Sequence, residues 1–376
     1  MKYFCIFMRA GFYRPSDHTI SIGGVQTYVY DLARLALSLG YAPLVVEMNN
    51  DGREARYELD GIQIQQVSAP GKHYFQRCFD RVYRQLAAPG NIYVIATDQL
   101  SIRCMAPGVV AIQHGIAFDE PIDKWYAPAL KMLKCWRNVQ RVAMVPHIVC
   151  VDYNFYNWYR TLSTVTPRHT LTVIPNYAQG CISEAELSEK LARTRRRRVL
   201  FARRFVEHRG ALLFAAVARR LLREFPDVEI TFAGRGPLEE RLRAFFGGDA
   251  RVVFTTYEAR ESLDFHRRYD ISVIPTVYSE GTSLSLCEAM SAGCYCVASH
   301  VGGMTNILLD GFNGRLVPPE EAAVYEALRE AMVGPEAAFR DVCRNAYLSA
   351  RTAFSKEKWQ SRWTRVIQNL ADDERA

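Results

Sequence analysis

The chain has 376 residues, a formal net charge of +7 and an apolar fraction of 49%. At roughly 100–200 residues per domain this length points to two domains or three, and the apolar share is that of globular cores rather than of a disordered chain. No run approaches the 18 or so apolar residues of a membrane span, and ten scattered cysteines without a C-x-x-C pair argue against zinc-ribbon, thioredoxin and disulfide-scaffold readings.

Tyr3 to Met8 is an apolar run that reads as a buried first strand rather than a signal peptide. The loop after it, Gly11 to Ile22, ends at Gly23-Gly24, and a helix is expected from about Val25 to Leu39, stopped by Gly40. Strands follow at Pro43 to Met48, Ile92 to Ala96, Val109 to Gln113, Val149 to Asp152 and Thr172 to Ile174. Short apolar strands alternating with helices predict a parallel, doubly wound sheet. Glu184 to Arg198 is charged and ends in four arginines; it reads as the passage between domains with a solvated arginine face.

The same rhythm restarts with strands at Val199 to Ala202, Val228 to Ala233, Arg251 to Phe254, Asp270 to Pro275 and Tyr295 to Ser299. Helices are expected over Ala211 to Phe225, Leu284 to Ala292 and Lys356 to Leu370; the last carries Trp359, Trp363 and Ile367 on one side. The fold class is therefore α/β with two Rossmann-like domains facing a cleft. The expected divisions are 1–180, 181–354 and a C-terminal helix, 355–376, that returns to the first domain.

The stretch from Asp270 to Ser299 is one β-α-β unit. Its loop runs from Val277 to Ser283, and Thr282 or Ser283 is placed to cap the helix that begins near Leu284. The free amides and positive end of that helix make an anion site. Gly281 allows close backbone approach. Glu280 before the helix and Glu288 inside it are two carboxylates about one ligand apart, suited to vicinal hydroxyls; the alternative for Glu288 is plain exposure on the helix. Arg204 and Arg209 follow the first strand of the second half, where two cations can neutralise a diphosphate or serve simply as surface charges.

These segments together resemble the retaining glycosyltransferases of family 4. The resemblance rests on Glu280-Gly-Thr-Ser-Leu-Ser-Leu-Cys-Glu288 (a Glu-x7-Glu motif), Phe232-Ala233-Gly234-Arg235-Gly236-Pro237, Ala298-Ser299-His300-Val301-Gly302-Gly303, Asp310 to Pro318, Val173-Ile174-Pro175-Asn176 and Gly23-Gly24-Val25. It implies the GT-B fold and transfer of a hexose-type sugar from a UDP- or GDP-sugar to a saccharide or lipid-linked acceptor, in bacterial surface polysaccharide or lipopolysaccharide synthesis. It implies that Glu280 attends the transferred sugar, that Glu288 binds the ribose and that Arg204 and Arg209 bind the diphosphate. Gly23, Gly24, Gly234, Gly281, Thr282, Ser283 and Leu284 would complete the donor site, and His114, in Gln113-His114-Gly115, matches a histidine near the reacting sugar. Three departures stand out: Arg203 where the family has glycine, Arg209 for lysine, and Thr305-Asn306 where Pro-Glu is common. The resemblance also implies front-side attack with retention.

No Asp-x-Asp motif sits in a suitable loop, so neither metal nor cofactor is expected. The chain is expected in the cytoplasm, with a peripheral station at the inner face of the membrane as the further option. Lys124-Trp125-Tyr126 with Lys131, Lys134, Trp136, Arg137 and Arg141 can rest on an anionic membrane or pack on a core with a solvated basic face. The aromatic run Tyr153 to Tyr159 can stack on sugars or pack as a core helix. Rival functions are a GT-B-like sugar-nucleotide epimerase, distinguished by product analysis without acceptor, and a nucleic-acid-binding protein, for which no motif speaks. A nicotinamide enzyme would need a tight G-x-G-x-x-G after the first strand, and that loop is too long.

Overall fold

A computed structural model describes residues 1–21, 23–97, 100–115, 119–142, 144–162, 170–278 and 280–373. Ile22 of the first loop and Ser279 of the loop before Leu284 therefore lie outside the described residues. The chain divides into two compact units, one of 1–114, 122–174 and 360–376, the other of 115–121 and 175–359.

The first unit runs β1 (Tyr3–Arg9), β2 (Tyr13–Arg14), β3 (Thr19–Ile20), α1 (Gly24–Ser38), β4 (Ala42–Asn49), β5 (Ala55–Leu59), β6 (Ile62–Ser68), α2 (Tyr74–Leu86), β7 (Ile92–Ile95), β8 (Val109–Gln113), α3 (Ala127–Val142), β9 (His147–Cys150), α4 (Tyr153–Leu162) and β10 (Thr170–Val173). Eight strands form one sheet in the order β10-β9-β8-β7-β1-β4-β6-β5. β1 is central because Phe4 to Phe7 are wholly buried, which only a strand covered on both faces requires. α1 packs on the sheet through Tyr28, Val29, Leu32, Ala33, Leu35 and Ala36, a helical stripe.

The sheet is not parallel throughout. β5 pairs antiparallel with β6 across Asp60-Gly61, both at positive φ (51° and 77°), the geometry of a tight hairpin turn. The Asp-Gly pair between alternating strands is a hairpin signal that the βα rhythm of the sequence obscures.

The second unit runs α5 (Glu184–Arg193), β11 (Arg198–Ala202), α6 (Ala211–Glu224), β12 (Glu229–Ala233), α7 (Glu239–Phe246), β13 (Val252–Thr255), α8 (Ser262–His266), β14 (Ile271–Ile274), α9 (Leu284–Ser291), β15 (Tyr295–Ser299), β16 (Arg315–Val317), α10 (Glu321–Val333), α11 (Glu336–Ala353) and the start of α12 (Lys356–Asp373). Its six strands are all parallel, in the order β13-β12-β11-β14-β15-β16. Counted from β11 this is 3-2-1-4-5-6, the doubly wound order with its switch point between β11 and β14. Ligands of doubly wound sheets bind at such a switch point.

The charged stretch 184–198 corrects the linker reading. It lies inside the second unit, where α5 is capped by a Ser183–Glu186 capping box. Arg197 pairs with Asp227, Arg198 with the buried Asp270, and Arg196 donates to the Gly334 carbonyl at 2.6 Å and covers the Phe339 ring. Arg196, Arg197 and Arg198 thus tie the N-terminal end of β11 to its surroundings, while Arg195 and Arg198 remain exposed.

α12 belongs to both units. Trp359 stacks near Tyr177 in the second, while Trp363 lies in the first and donates its indole N–H to the Tyr28 hydroxyl at 2.7 Å. Trp359, Trp363 and Ile367 are all buried.

Candidate functional site

At the switch point the β14 strand ends and the chain passes through Pro275 and Thr276 to Glu280 before entering α9. Ser283 is the cap: its Oγ accepts from the Leu286 amide at 3.4 Å. Thr282, the other candidate, is otherwise engaged. Its Oγ1 accepts from the Asn176 amide N–H at 2.8 Å, and its carbonyl accepts from the Asn176 side chain. The Pro175-Asn176 turn thus fastens the loop in front of α9. No acidic residue occupies the first turn of α9, so its positive end is uncompensated from within.

Two backbone approaches hold this loop. Gly302, at φ 55°, lies so close to it that an added Cβ would sit 1.9 Å from the Glu280 carbonyl oxygen; the Gly303 amide donates to that same oxygen at 3.1 Å. Gly210, at φ 78°, would place a Cβ 1.9 Å from the Pro275 carbonyl oxygen. Only glycine allows both contacts. The second one brings the turn after β11, Glu207 to Arg209, against the end of β14, and the Val277 amide donates to the His208 carbonyl at 2.9 Å.

That approach assembles a charge cluster. Arg203 and Arg209 both donate to one oxygen of Glu280, Oε2. Thr276 Oγ1 lies 3.1 Å from the same oxygen and accepts from Arg203 Nη1 at 2.7 Å. The Arg203 side chain is 6% exposed and that of Arg209 27%. Burial alone raises the Glu280 pKa, but the two guanidiniums overcome it and hold the carboxyl at about 2. His208 is pulled down by burial and then by Arg209 and Arg203. The loop after β12 supports this turn: the Phe205 amide donates to the Arg235 carbonyl, and Gly234, at the end of β12, packs on the Arg203 carbonyl.

The expected pair was Arg204 and Arg209. Arg204 is exposed, and the partner of Arg209 on Glu280 is Arg203. Sequence reading missed this residue as a site member, although the visible signal was a bulky cation at a glycine position.

Glu288 is not gathered into that cluster. It lies in the second turn of α9, half-buried, with a hydrogen bond from Ser262 and the Tyr257 phenol near it. Burial pushes its carboxyl up to about 7, against the pull of Ser262. The loop before α9 thus carries a forced anion and the helix itself a carboxyl poised near neutrality.

In the first unit, Gly23 is the N-cap of α1 and Gly24 its first residue. His114 follows β8, with its ring at right angles to Tyr28 at 5.0 Å. Burial lowers its pKa to about 4, so the imidazole is neutral, and Nε2 meets no hydrogen-bond partner among the described residues.

A second surface of this unit is unusual. α3 contains no Asp or Glu and buries Cys135, Val139 and Val142. Met132, Leu133 and Trp136, at helical spacing, are 49–56% exposed, and Trp125 just ahead of the helix is 92% exposed. Lys134 and Arg137 lie on the other side of the exposed arc. The core-packing reading therefore fails for these large side chains. In α4, Phe155 and Tyr159 are buried while Tyr153 and Trp158 are exposed.

Residues 196–333 match the family described as Glycosyl transferases group 1. A phosphatidyl-myo-inositol mannosyltransferase of Mycolicibacterium smegmatis is 35% identical over 142 residues, 37% of this chain and 36% of that protein. The UDP-Gal:alpha-D-GlcNAc-diphosphoundecaprenol alpha-1,3-galactosyltransferase of Escherichia coli is 23% identical over 252 residues, 64% of this chain and 62% of that protein. The chain thus spans between about a third and two thirds of the length of these relatives. Among solved structures, sucrose-phosphate synthase from Thermosynechococcus elongatus superposes with a TM-score of 0.73 at 14% identity, covering 98% of this chain and 99% of that one. The fold shared with it is GT-B, as the sequence motifs imply.

Proposed function

We propose, for a chain whose residues 196–333 belong to the glycosyl transferases group 1 family and whose fold is GT-B, that it is a retaining, metal-independent hexosyltransferase. The donor is a UDP- or GDP-sugar, and the acceptor a saccharide or lipid-linked saccharide of bacterial surface polysaccharide or lipopolysaccharide synthesis. The observation that carries the reading is the cluster at the α9 N-terminus: an obligate carboxylate, Glu280, beside Arg209, at the switch point of a doubly wound sheet.

In this reading the diphosphate takes the positive end of α9, with the amides of Gly281, Thr282, Ser283 and Leu284, and the guanidiniums of Arg204 and Arg209. Glu280 faces the hexose and Glu288 the ribose, and Gly23 and Gly24 admit the phosphates on the side of the first unit. The acceptor oxygen attacks the anomeric carbon on the face the phosphate leaves. As the carbon–phosphate oxygen bond breaks, the acceptor's proton passes to a departing phosphate oxygen. The cations stabilise the charge growing on the leaving group, and a fixed cation needs no reorganisation at that moment. His114, neutral through burial, offers Nε2 as an uncharged hydrogen-bonding atom beside the sugar. The exposed face of α3 fits an anionic membrane surface, where a lipid-linked acceptor is presented from the cytoplasmic side.

A panel of UDP- and GDP-sugars, read by thermal shift in the presence of EDTA, tests this. A bound donor raises the melting temperature by mass action, by about 2.7 kcal/mol of stability at a hundredfold excess over Kd. Silence across both nucleotide series sinks the proposal; a shift that appears only after divalent metal is restored removes the metal independence.

A further inference from the structure

The cluster around Glu280 holds a cation, Arg203, that is not one of the diphosphate-binding pair Arg204 and Arg209. Arg203 and Arg209 converge on the same carboxylate oxygen, yet they are held differently. Arg203 is buried and has a second anchor, Thr276 Oγ1 at 2.7 Å. Arg209 is the more exposed of the two and sits on the turn that Gly210 presses against the end of β14.

We infer that Arg203 is a positioning residue that frees Arg209 for the donor's diphosphate. The inference rests on the nucleotide-sugar reading above. Glu280 and an incoming diphosphate compete for Arg209. Moving Arg209 away from a buried carboxylate is costly when it is the sole counter-charge, because an unpaired buried ion is left behind. Arg203 removes that cost. It stays on Glu280 and Thr276 while Arg209 turns to the phosphates, so the carboxylate remains ionised and fixed in place for the sugar. Arg203 therefore acts on nucleotide binding without touching the nucleotide.

This predicts a coupling that neither direct contact nor general support of the fold would produce. Binding of UDP and GDP is measured by calorimetry on the full chain for wild type, Arg203→Met, Glu280→Gln and the double variant. Arg203→Met is expected to weaken binding about tenfold, because Glu280 then pins Arg209. Glu280→Gln, which releases Arg209, binds nucleoside diphosphate at least as tightly as wild type. In the Glu280→Gln background the Arg203→Met loss shrinks to within about threefold. A loss of equal size in both backgrounds means that Arg203 contacts the phosphate or merely supports the fold, and it overturns the inference. So does an Arg203→Met protein that binds as wild type.

Thr276→Val gives a second, milder arm that leaves every charge in place. It loosens Arg203 from its second anchor and is expected to weaken binding measurably in wild type and not in Glu280→Gln. Equal effects in the two backgrounds count against the inference even if Arg203→Met fails to fold. Wild-type protein that binds neither UDP nor GDP defeats the nucleotide-sugar reading itself; wild-type binding with an additive cycle defeats only the role of Arg203.

Discussion

Glu280, in the loop before α9, and Glu288, in its second turn, meet opposite surroundings. The first is driven to ionise by two guanidiniums, the second is held back from ionising by burial. The sign of the consequence follows from the second value. In the unfolded chain Glu288 titrates near 4.5, in the folded protein near 7. The folded state binds the proton more tightly, so the stability linked to this group is complete below the unfolded value. It is lost as pH rises through about 7, where a buried carboxylate must form. Glu288→Gln cannot ionise and escapes that loss. The expected outcome is a variant that melts a few degrees above wild type at pH 8, reflecting on the order of 2 kcal/mol, with the gap closing at pH 5. Calorimetry at both pH values checks it; a gap independent of pH refutes the assignment. At this scale the residue types were legible and their partners were not. Arg209 and Glu280 could each be placed after a strand, but not on each other. Arg203 could not be read as a member of the site, because its role depends on Thr276 and on a side-chain direction that linear spacing does not encode.

At the scale of elements, α3 is where sequence left two readings standing and the fold tells against one, the packing of its large side chains in a core. A helix with cations and aromatics reads the same whether the aromatics face a core or solvent. Exposure of Met132, Leu133, Trp136 and Trp125, with no acid anywhere in the helix, is what the proposed membrane contact rests on. Vesicles of phosphatidylglycerol should sediment the protein, and vesicles of phosphatidylcholine should not. Met132→Glu with Trp136→Glu should abolish sedimentation while leaving the nucleotide-induced melting shift intact. Retention of the double variant and wild type alike on anionic vesicles would show that a different surface binds. The strands were legible for a reason specific to parallel sheets: β1, β7, β8, β11 and β14 are short, mainly apolar runs whose polar residues do not fall on one alternating face. The β5–β6 hairpin was missed because its alternating pattern sits at the sheet edge, and the arginine run was misread because its acceptors, Asp227, Asp270 and Gly334, are far away in sequence.

At the scale of the whole molecule, the second unit buries a parallel sheet and the first a parallel sheet with one antiparallel edge strand, and strand order is the part that sequence does not supply. Alternation predicts a doubly wound sheet. It does not say that β11 and β14 are neighbours, and that adjacency is what brings Arg203, Arg209 and Glu280 together. α12 shows the same dependence on distant partners. Its stripe of Trp359, Trp363 and Ile367 foretold burial, but the 335 residues separating Trp363 from Tyr28 are invisible to any local pattern. Trp363→Ala removes a fully buried indole and its hydrogen bond from the first unit. It should cost about 3–5 kcal/mol, read as a lower urea midpoint for a probe in that unit. An unchanged midpoint would mean that the first unit does not rely on this helix.

That bond between Trp363 and Tyr28 also sets an order of events during synthesis. The ribosome makes Tyr28 early and Trp363 only after all of residues 175–359. At typical elongation rates the nascent first unit waits roughly ten to forty seconds with the seat of Trp363 unfilled. The second unit's sheet meanwhile has all its strands. In the cell, the half of the chain begun first is thus the half finished last, and it is the half for which a holding chaperone has most to do.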